Sequence, residues 1–298
     1  MRDLQPTTGR PRLVWQSEGK SSDVPVLLIH GLGQTLHDWP DAFVDGLTGA
    51  GCRVIRCDNR DVGRSSRFDQ LGAPPLLRLW LCSTLRLPQW VKPPYTVADM
   101  AADAIALLDA LNIPAAHLVG ASMGGMIAQH IALAHPRRVR SLTLIMSSSG
   151  APGLPPPRDD VQRALSGREP DDLPAAIASA LAFRRLIAGP LQADDVTELE
   201  QRVARSTAYG WPNRTGVARQ YAAILADRKR WRHLERIAAR CLVVHGEHDP
   251  LLPIAHGQDA AARIAGSRFL PLAAMGHEIT PSHAQAIVPD ILRLLQLS

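Results

Sequence analysis

Lysine is almost absent from this 298-residue sequence: apart from Lys20, Lys92 and Lys229, all of its 33 basic residues are arginine. That skew reads as coding bias rather than as a phosphate-tracking surface. The net charge of +5 points the same way, because the basic residues are scattered among acids and no run is flanked by stacking aromatics. Nucleic acid is therefore not an expected partner. Aromatic residues are also few, at 4%. Cysteines are fewer still: Cys52, Cys57, Cys82 and Cys241 show no zinc-ligand spacing, so buried reduced thiols are expected and no metal. No apolar run reaches the ~20 residues that span a bilayer. "MRDLQPTTGR" lacks the apolar core of a secretory signal, and the expected location is the cytoplasm.

What the chain does have is alternation. Short, continuous apolar runs at Val26 to Ile29, Arg53 to Cys57, Leu118 to Gly120, Leu142 to Met146 and Cys241 to Val244 read as strands covered on both faces. Helical patterns lie between them at Pro40 to Leu47, Val97 to Leu111 and Met123 to Ala134, the second opened by Thr96 and Asp99 in a capping-box pattern. Such alternation predicts an α/β fold with a mainly parallel sheet flanked by helices.

Two stretches interrupt the rhythm. Residues 68–94 contain "PPLLRLWLCSTLRLPQW", and residues 150–237 open on "GAPGLPPPR" and then read helical. The expected organisation is a core of 1–149 carrying the 68–94 insertion, a helical cap or lid at 150–237 over the carboxyl edge of the sheet, and a returning core segment at 238–298. Within 76–91, Trp80, Trp90, the leucines, Arg78 and Arg86 have two readings, a substrate-pocket wall and an interfacial helix that meets lipid, and the pocket wall is preferred.

In "AHLVGASMGGMIAQ" a serine sits among glycines where a strand gives way to a helix. Gly120-Ala121-Ser122-Met123-Gly124 fits G-x-S-x-G in the setting that makes the pattern meaningful: a tight turn exposes a nucleophile, and a helix N-terminus supplies donors for an oxyanion. A plain serine N-cap is the competing explanation. A serine nucleophile needs a neutral histidine oriented by a carboxylate. After "CLVVHGEHDP" the first suitable acid is Asp249, with Glu247 its neighbour, and after "SRFLPLAAMGHEI" the first histidine is His277. Of the others, His283 reads as an exposed helical histidine, His30 as a brace for its loop, and Asp58 in "DNRDVGRSS" as loop architecture.

These stretches, with "VPVLLIHGLGQTLHDW" and "LVVHGEHDPLLP", resemble the α/β-hydrolase fold enzymes of the esterase type, over nearly the whole chain. More narrowly, the chain is similar to bacterial serine esterases near the aclacinomycin methylesterase type. The resemblance implies a catalytic triad of Ser122, Asp249 and His277. It also implies oxyanion donors at the Met123 and Leu32 amides, Gly33 being an alternative to Leu32, and no cofactor. The expected partner is a small-molecule ester, with Trp211 and Tyr221 as candidate substrate contacts. The same triad would serve a C–C bond hydrolase or a cofactor-free perhydrolase. A ligand receptor on the same fold is the non-enzymatic alternative.

Overall fold

The computed structural model describes residues 2–3, 11–85, 92–165, 170–211 and 214–296. Its centre is one eight-stranded sheet: β1 (Arg2–Asp3), β2 (Val14–Glu18), β3 (Val24–Ile29), β4 (Cys52–Cys57), β5 (Ala116–Ala121), β6 (Val139–Ile145), β7 (Arg240–Gly246) and β8 (Arg268–Leu272). The spatial order is β1-β2-β4-β3-β5-β6-β7-β8. The pairs from β4 through β8 are parallel, while β1–β2 and β2–β4 are antiparallel.

The apolar strand runs have a direct cause, since successive residues of a strand face opposite sides and here both sides are covered. On β3, Leu27 and Ile29 enter one core cluster while Val26 and Leu28 enter the other. On β7, Cys241 and Val243 take the first side and Leu242 and Val244 the second. The first cluster is closed by α3 (Val97–Ala110) and α4 (Met123–Ala134), and the second by α1 (Asp41–Gly49) and α10 (Pro281–Gln296). All four cysteines are buried and free.

The five strands read from the sequence are present, most with extended ends, although β6 starts earlier, at Val139, and stops at Ile145, one residue short of Met146; Thr96 and Asp99 form both bonds of the capping box. Two longer strands escaped that reading for physical reasons. β2 is a largely polar segment, VWQSE, covered on its outer side only by the two-residue β1, and β8 is a short, half-exposed edge strand with Pro271, a residue that only an edge tolerates readily.

Residues 68–94 contribute α2 (Leu76–Thr84), while Arg86 and Trp90 lie outside the described residues. Between β6 and β7 come α5 (Asp159–Leu165), α6 (Leu173–Ile187), α7 (Ala193–Gly210), α8 (Arg214–Ala226) and a 3-10 turn at Arg230–Arg236. This stretch contributes no strand among the described residues, in line with the helical pattern of 150–237. Among them, too, no helix is long and apolar enough to cross a membrane.

One buried polar pair inside the sheet has a consequence for stability. His117 on β5 shares a hydrogen bond with Ser141 Oγ on β6 at 2.7 Å, and desolvation lowers its pKa to about 4. A base with a depressed folded pKa is protonated more readily in the unfolded chain, so its contribution to stability falls as pH drops from ~6.5 towards 4. We expect His117→Asn, which keeps a polar partner for Ser141 but cannot titrate, to shrink the stability lost between pH 7 and pH 5 by about 1–2 kcal/mol. Urea unfolding at the two pH values checks this, and equal losses in both proteins would refute it.

Candidate active site

The carboxyl ends of the parallel strands gather the polar residues of interest: His30 follows β3, Asp58 follows β4, Ser122 follows β5, and Asp249 and His277 follow β7 and β8. The turn at Ser122 is unusually tight. Its φ of 53° and ψ of −120° lie where L-residues are strained, and its neighbours allow nothing bulkier. A Cβ on Gly124 would run into the Ile29 carbonyl, and one on Gly120 into the backbone of Gly124 and Gly125. Those glycines let β5 pass into α4 without a spacer. The Ser122 amide donates to Ile145 O of β6 at 2.9 Å, anchoring the turn to the sheet.

The side chain does not cap α4. Ser122 Oγ instead lies 2.9 Å from His277 Nε2, and His277 Nδ1 lies 2.6 Å from Asp249 Oδ2. The N-cap explanation of this serine is thereby replaced, and three residues from separate strand ends form one hydrogen-bonded chain. Asp249 is buried, whereas Glu247 and His248 are exposed, so the choice of carboxylate is geometric. Its Oδ1 accepts from the Leu251 and Leu252 amides at 2.9 and 2.7 Å, and its Oδ2 faces His277. Burial alone would raise the Asp249 pKa, but the His277 charge and hydrogen bonds from His245 and His277 outweigh it and hold it well below the ordinary range. A carboxylate so held stays ionised and orients the imidazole.

His245 is a partner that sequence reasoning missed. It is fully buried on β7, four residues before Asp249, with Nε2 2.7 Å from Leu252 O and 3.3 Å from Asp249 Oδ2. Period-two alternation places it on the sheet, but only the fold of the following turn brings Asp249 back to it.

The loop after β3 runs beside Ser122: a Cβ on Gly31 would come 3.2 Å from the serine Cβ. Its amides are mostly engaged. Gly31 donates to His30 Nδ1 at 2.9 Å, Gln34 to Gly31 O at 3.3 Å, and Gly33 to Gln220 Oε1 at 2.9 Å. The Gly33 donor is thus consumed by a side chain from α8, whose Nε2 also reaches Arg60 O at 2.8 Å. Leu32 and Met123 amides have no acceptor among the described residues. His30 is the brace expected, its ring against Trp39 and its carbonyl accepting from Asn59, and burial lowers its pKa to about 4. Asp58 likewise organises loops: it accepts from the Leu36 and Arg64 amides and from Tyr209 of α7, and desolvation raises its pKa to about 6.

His283 differs from expectation. It is buried, not exposed: Nδ1 accepts from Thr280 N at 3.3 Å and Nε2 lies 3.2 Å from Ala274 O, so it ties the first turn of α10 to the His277 loop. Trp211 is half-buried at the end of α7, and Tyr221 is exposed on α8 one residue beyond Gln220.

The helices between β6 and β7 are fastened to this site. The Gly276 and His277 amides donate to Ala188 O and Ile187 O at 2.9 and 2.6 Å, at the end of α6. Next to His277, the buried Glu278 is paired by Arg184 of α6 and Arg202 of α7. Arg202 Nη1 also donates to Asp38 O at 2.7 Å and Nη2 to Ile279 O at 3.0 Å. Burial would raise the Glu278 and Asp38 pKa values, yet the guanidiniums outweigh it and both are lowered.

A family profile described as the alpha/beta hydrolase fold matches residues 24–284. The chain belongs to the α/β hydrolase fold family. It is 32% identical to a rhodomycin D methylesterase of Streptomyces sp. strain C5, over 88% of this chain and 87% of the relative. A rhodomycin D methylesterase of Streptomyces peucetius is 31% identical over the same shares. A solved hydrolase of Pseudomonas aeruginosa superposes with a TM-score of 0.72 at 29% identity, covering 99% of this chain and 97% of that one.

The ion pairs of this α/β hydrolase invite a comparison between buried and exposed arginines. Arg202→Met should leave Glu278 short of a cation and cost about 3–5 kcal/mol, the range for breaking a buried pair. Arg185→Met, which breaks the exposed Arg185–Glu200 pair, should leave stability nearly unchanged. Chemical denaturation of both variants checks the ranking.

Proposed function

We propose that the protein hydrolyses a small carboxylic ester in two acyl-transfer steps on Ser122. The observation that carries this reading is the unbroken chain from Ser122 Oγ through His277 to Asp249, presented at the strained turn. His277 Nε2 takes the Ser122 proton as Oγ attacks the ester carbonyl carbon. The carbonyl oxygen, now carrying the negative charge, is received by the Met123 and Leu32 amides. Gly33 is set aside as a donor because Gln220 occupies its N–H. The tetrahedral species then expels the alcohol, which leaves with the proton from His277. Water enters next, gives a proton to His277 and attacks the acyl-Ser122 carbonyl carbon; the second tetrahedral species then breaks its bond to Ser122 Oγ, which takes the proton back from His277 as the acid leaves.

No step requires a metal or an organic cofactor. Ester hydrolysis agrees with the family and with the two methylesterase relatives. Their activity as methylesterases makes a methyl ester of a larger acid the first substrate class to test. In this reading the helices of 150–237 are a cap held by Arg184 and Arg202, and Trp211 and Tyr221 remain its candidate substrate contacts.

Ser122→Ala should keep the fold, followed by circular dichroism, while hydrolysis of p-nitrophenyl acetate and butyrate falls on the order of 10⁴-fold or more. A sulfonyl fluoride should label the wild type on Ser122 one-to-one by peptide mass mapping. Activity retained within tenfold, or an adduct elsewhere, would overturn the assignment. Cleavage of a vinylogous diketone in preference to every ester would move the reading to C–C bond hydrolysis.

The acid is tested separately. Asp249→Asn should lower kcat by roughly 10³- to 10⁴-fold by favouring the wrong imidazole tautomer, whereas Glu247→Gln, on an exposed side chain, should leave it unchanged. The opposite ranking in steady-state kinetics would show that the carboxylate was misassigned.

A further inference from the structure

The loop after β3 is a four-residue turn, Gly31-Leu32-Gly33-Gln34, closed by the Gln34 amide donating to Gly31 O at 3.3 Å. Gly33 has a φ of 70° while Leu32 stays out of the left-handed region, the pattern of a type II turn. Types I and II share their ends and differ chiefly by rotation of the central peptide, here the one joining Leu32 to Gly33, by roughly a half-turn. Glycine at the third position accepts either arrangement. The local sequence therefore leaves the orientation of that peptide open.

The choice is made 187 residues away. Gln220, fully buried on α8, accepts the Gly33 N–H on Oε1 at 2.9 Å and donates from Nε2 to Arg60 O at 2.8 Å. A carbonyl can only accept, so Nε2 must face Arg60 O, and Oε1 is left facing the turn. An oxygen in that position attracts the N–H of the central peptide and repels its carbonyl. The side-chain amide thus passes a preference from Arg60 O to the turn. α8 is itself held in place beside it: Arg219 binds Asp61 through hydrogen bonds of 2.8 and 2.7 Å, and Val217 lies where a Cβ on Gly33 would come within 3.1 Å.

With the central peptide fixed, the donors of the turn are nearly all committed. The Gly31 N–H goes to His30 Nδ1 and Gln34 Oε1, that of Gly33 to Gln220, and that of Gln34 to Gly31 O. Within this turn only the Leu32 N–H has no acceptor among the described residues. We propose that Gln220 is a positioning residue for the oxyanion hole, locking the turn in the conformer that leaves the Leu32 N–H as its open donor. The role rests on the hydrolytic reading, since an oxyanion forms only if Ser122 attacks a carbonyl. It also makes the hole dependent on α8, a helix between β6 and β7, and not on its own loop alone. Without the amide the turn is free to exchange conformers, and a misplacement of ~1 Å can cost ~10²-fold in rate.

The test compares Gln220→Met, which fills similar space without either bond, with Gln220→Glu, which keeps an acceptor for the Gly33 N–H. An alkyl trifluoromethyl ketone is the probe. Ser122 Oγ adds to its carbonyl carbon, the serine proton passes to His277, and the carbonyl oxygen becomes an oxyanion. The alcohol obtained by reducing the same ketone binds without forming one. For p-nitrophenyl butyrate, Gln220→Met should lower kcat roughly 10- to 100-fold and leave KM within about threefold. It should weaken the ketone by a similar factor and leave inhibition by the alcohol unchanged. Gln220→Glu should turn over about fivefold faster than Gln220→Met, or better. Unchanged kcat in Gln220→Met, a Glu variant no faster than the Met variant, or equal weakening of ketone and alcohol would overturn the proposal, the last by marking a general loosening of the pocket.

Amide NMR of the wild type decides the matter if neither variant folds. On ketone binding the Leu32 and Met123 amide protons should move downfield while that of Gly33, held by Gln220, stays in place. Movement of the Gly33 proton with Leu32 unmoved overturns the proposal. A wild type that neither hydrolyses the ester nor adds the ketone at Ser122 defeats the hydrolytic reading and this role with it. A hydrolytic wild type whose Gln220→Met variant is equally fast defeats this role alone.

Discussion

The carboxylate of Glu278 cannot remain charged in the interior unless cations are brought to it, and the two that arrive come from the helical insertion. Arg184 lies on α6 and Arg202 on α7. Both also reach towards Asp38, through its side chain and its carbonyl respectively. Asp38 in turn receives the Thr35 amide and the Ser206 hydroxyl, the latter again from α7. One buried network thus couples the loop after β3, the loop after β8 and the insertion. None of these can shift alone without leaving a charge unpaired in a desolvated place. The side chain next to Glu278 is His277, so this constraint also governs the imidazole.

A second constraint acts on Ser122. The turn stores backbone strain at a non-glycine residue, and it persists because the surroundings leave no alternative: α4 begins at once, the Ser122 amide is tied to β6, and the glycines admit the backbones of β3 and α4 at close range. Strain at the serine and rigidity at the histidine have the same effect on chemistry. The hydroxyl and its acceptor meet at 2.9 Å without either loop having to be reorganised. Asp249, fixed by two backbone amides and with His245 alongside, completes a chain whose members come from three strand ends.

The legible parts of this architecture are those with a local cause. A strand covered on both faces must be apolar throughout, and so β3 to β7 stand out, whereas the largely polar β2 and the proline-bearing β8 do not. The serine turn is legible because G-x-S-x-G is a local pattern: Gly120 answers to the backbone of Gly124 and Gly125 close by, although Gly124 answers to the distant Ile29 carbonyl of β3. Asp249 and His277 are legible as motif positions, but the rejection of Glu247 needs burial, which the alternation of an extended segment only suggests. His283 was misjudged because a helical histidine near a terminus is ordinarily exposed, and here the His277 loop folds over it.

The sequence by itself determined the two-sided sheet, the helices that flank it and the tight turn at Ser122, because hydrophobic periodicity and glycine sterics act over short stretches. Only the tertiary structure decided which amides remain open beside the serine. Gln220 stands 187 residues from Gly33 and takes its N–H, and nothing in either local sequence pairs them. Tertiary structure also decided that Glu278 would be matched by Arg184 and Arg202, since any of the many arginines satisfies composition and only folding selects those that arrive. Long-range polar pairings of this kind carry no period and no spacing, and they form where desolvation leaves a donor or a charge with a single partner in reach.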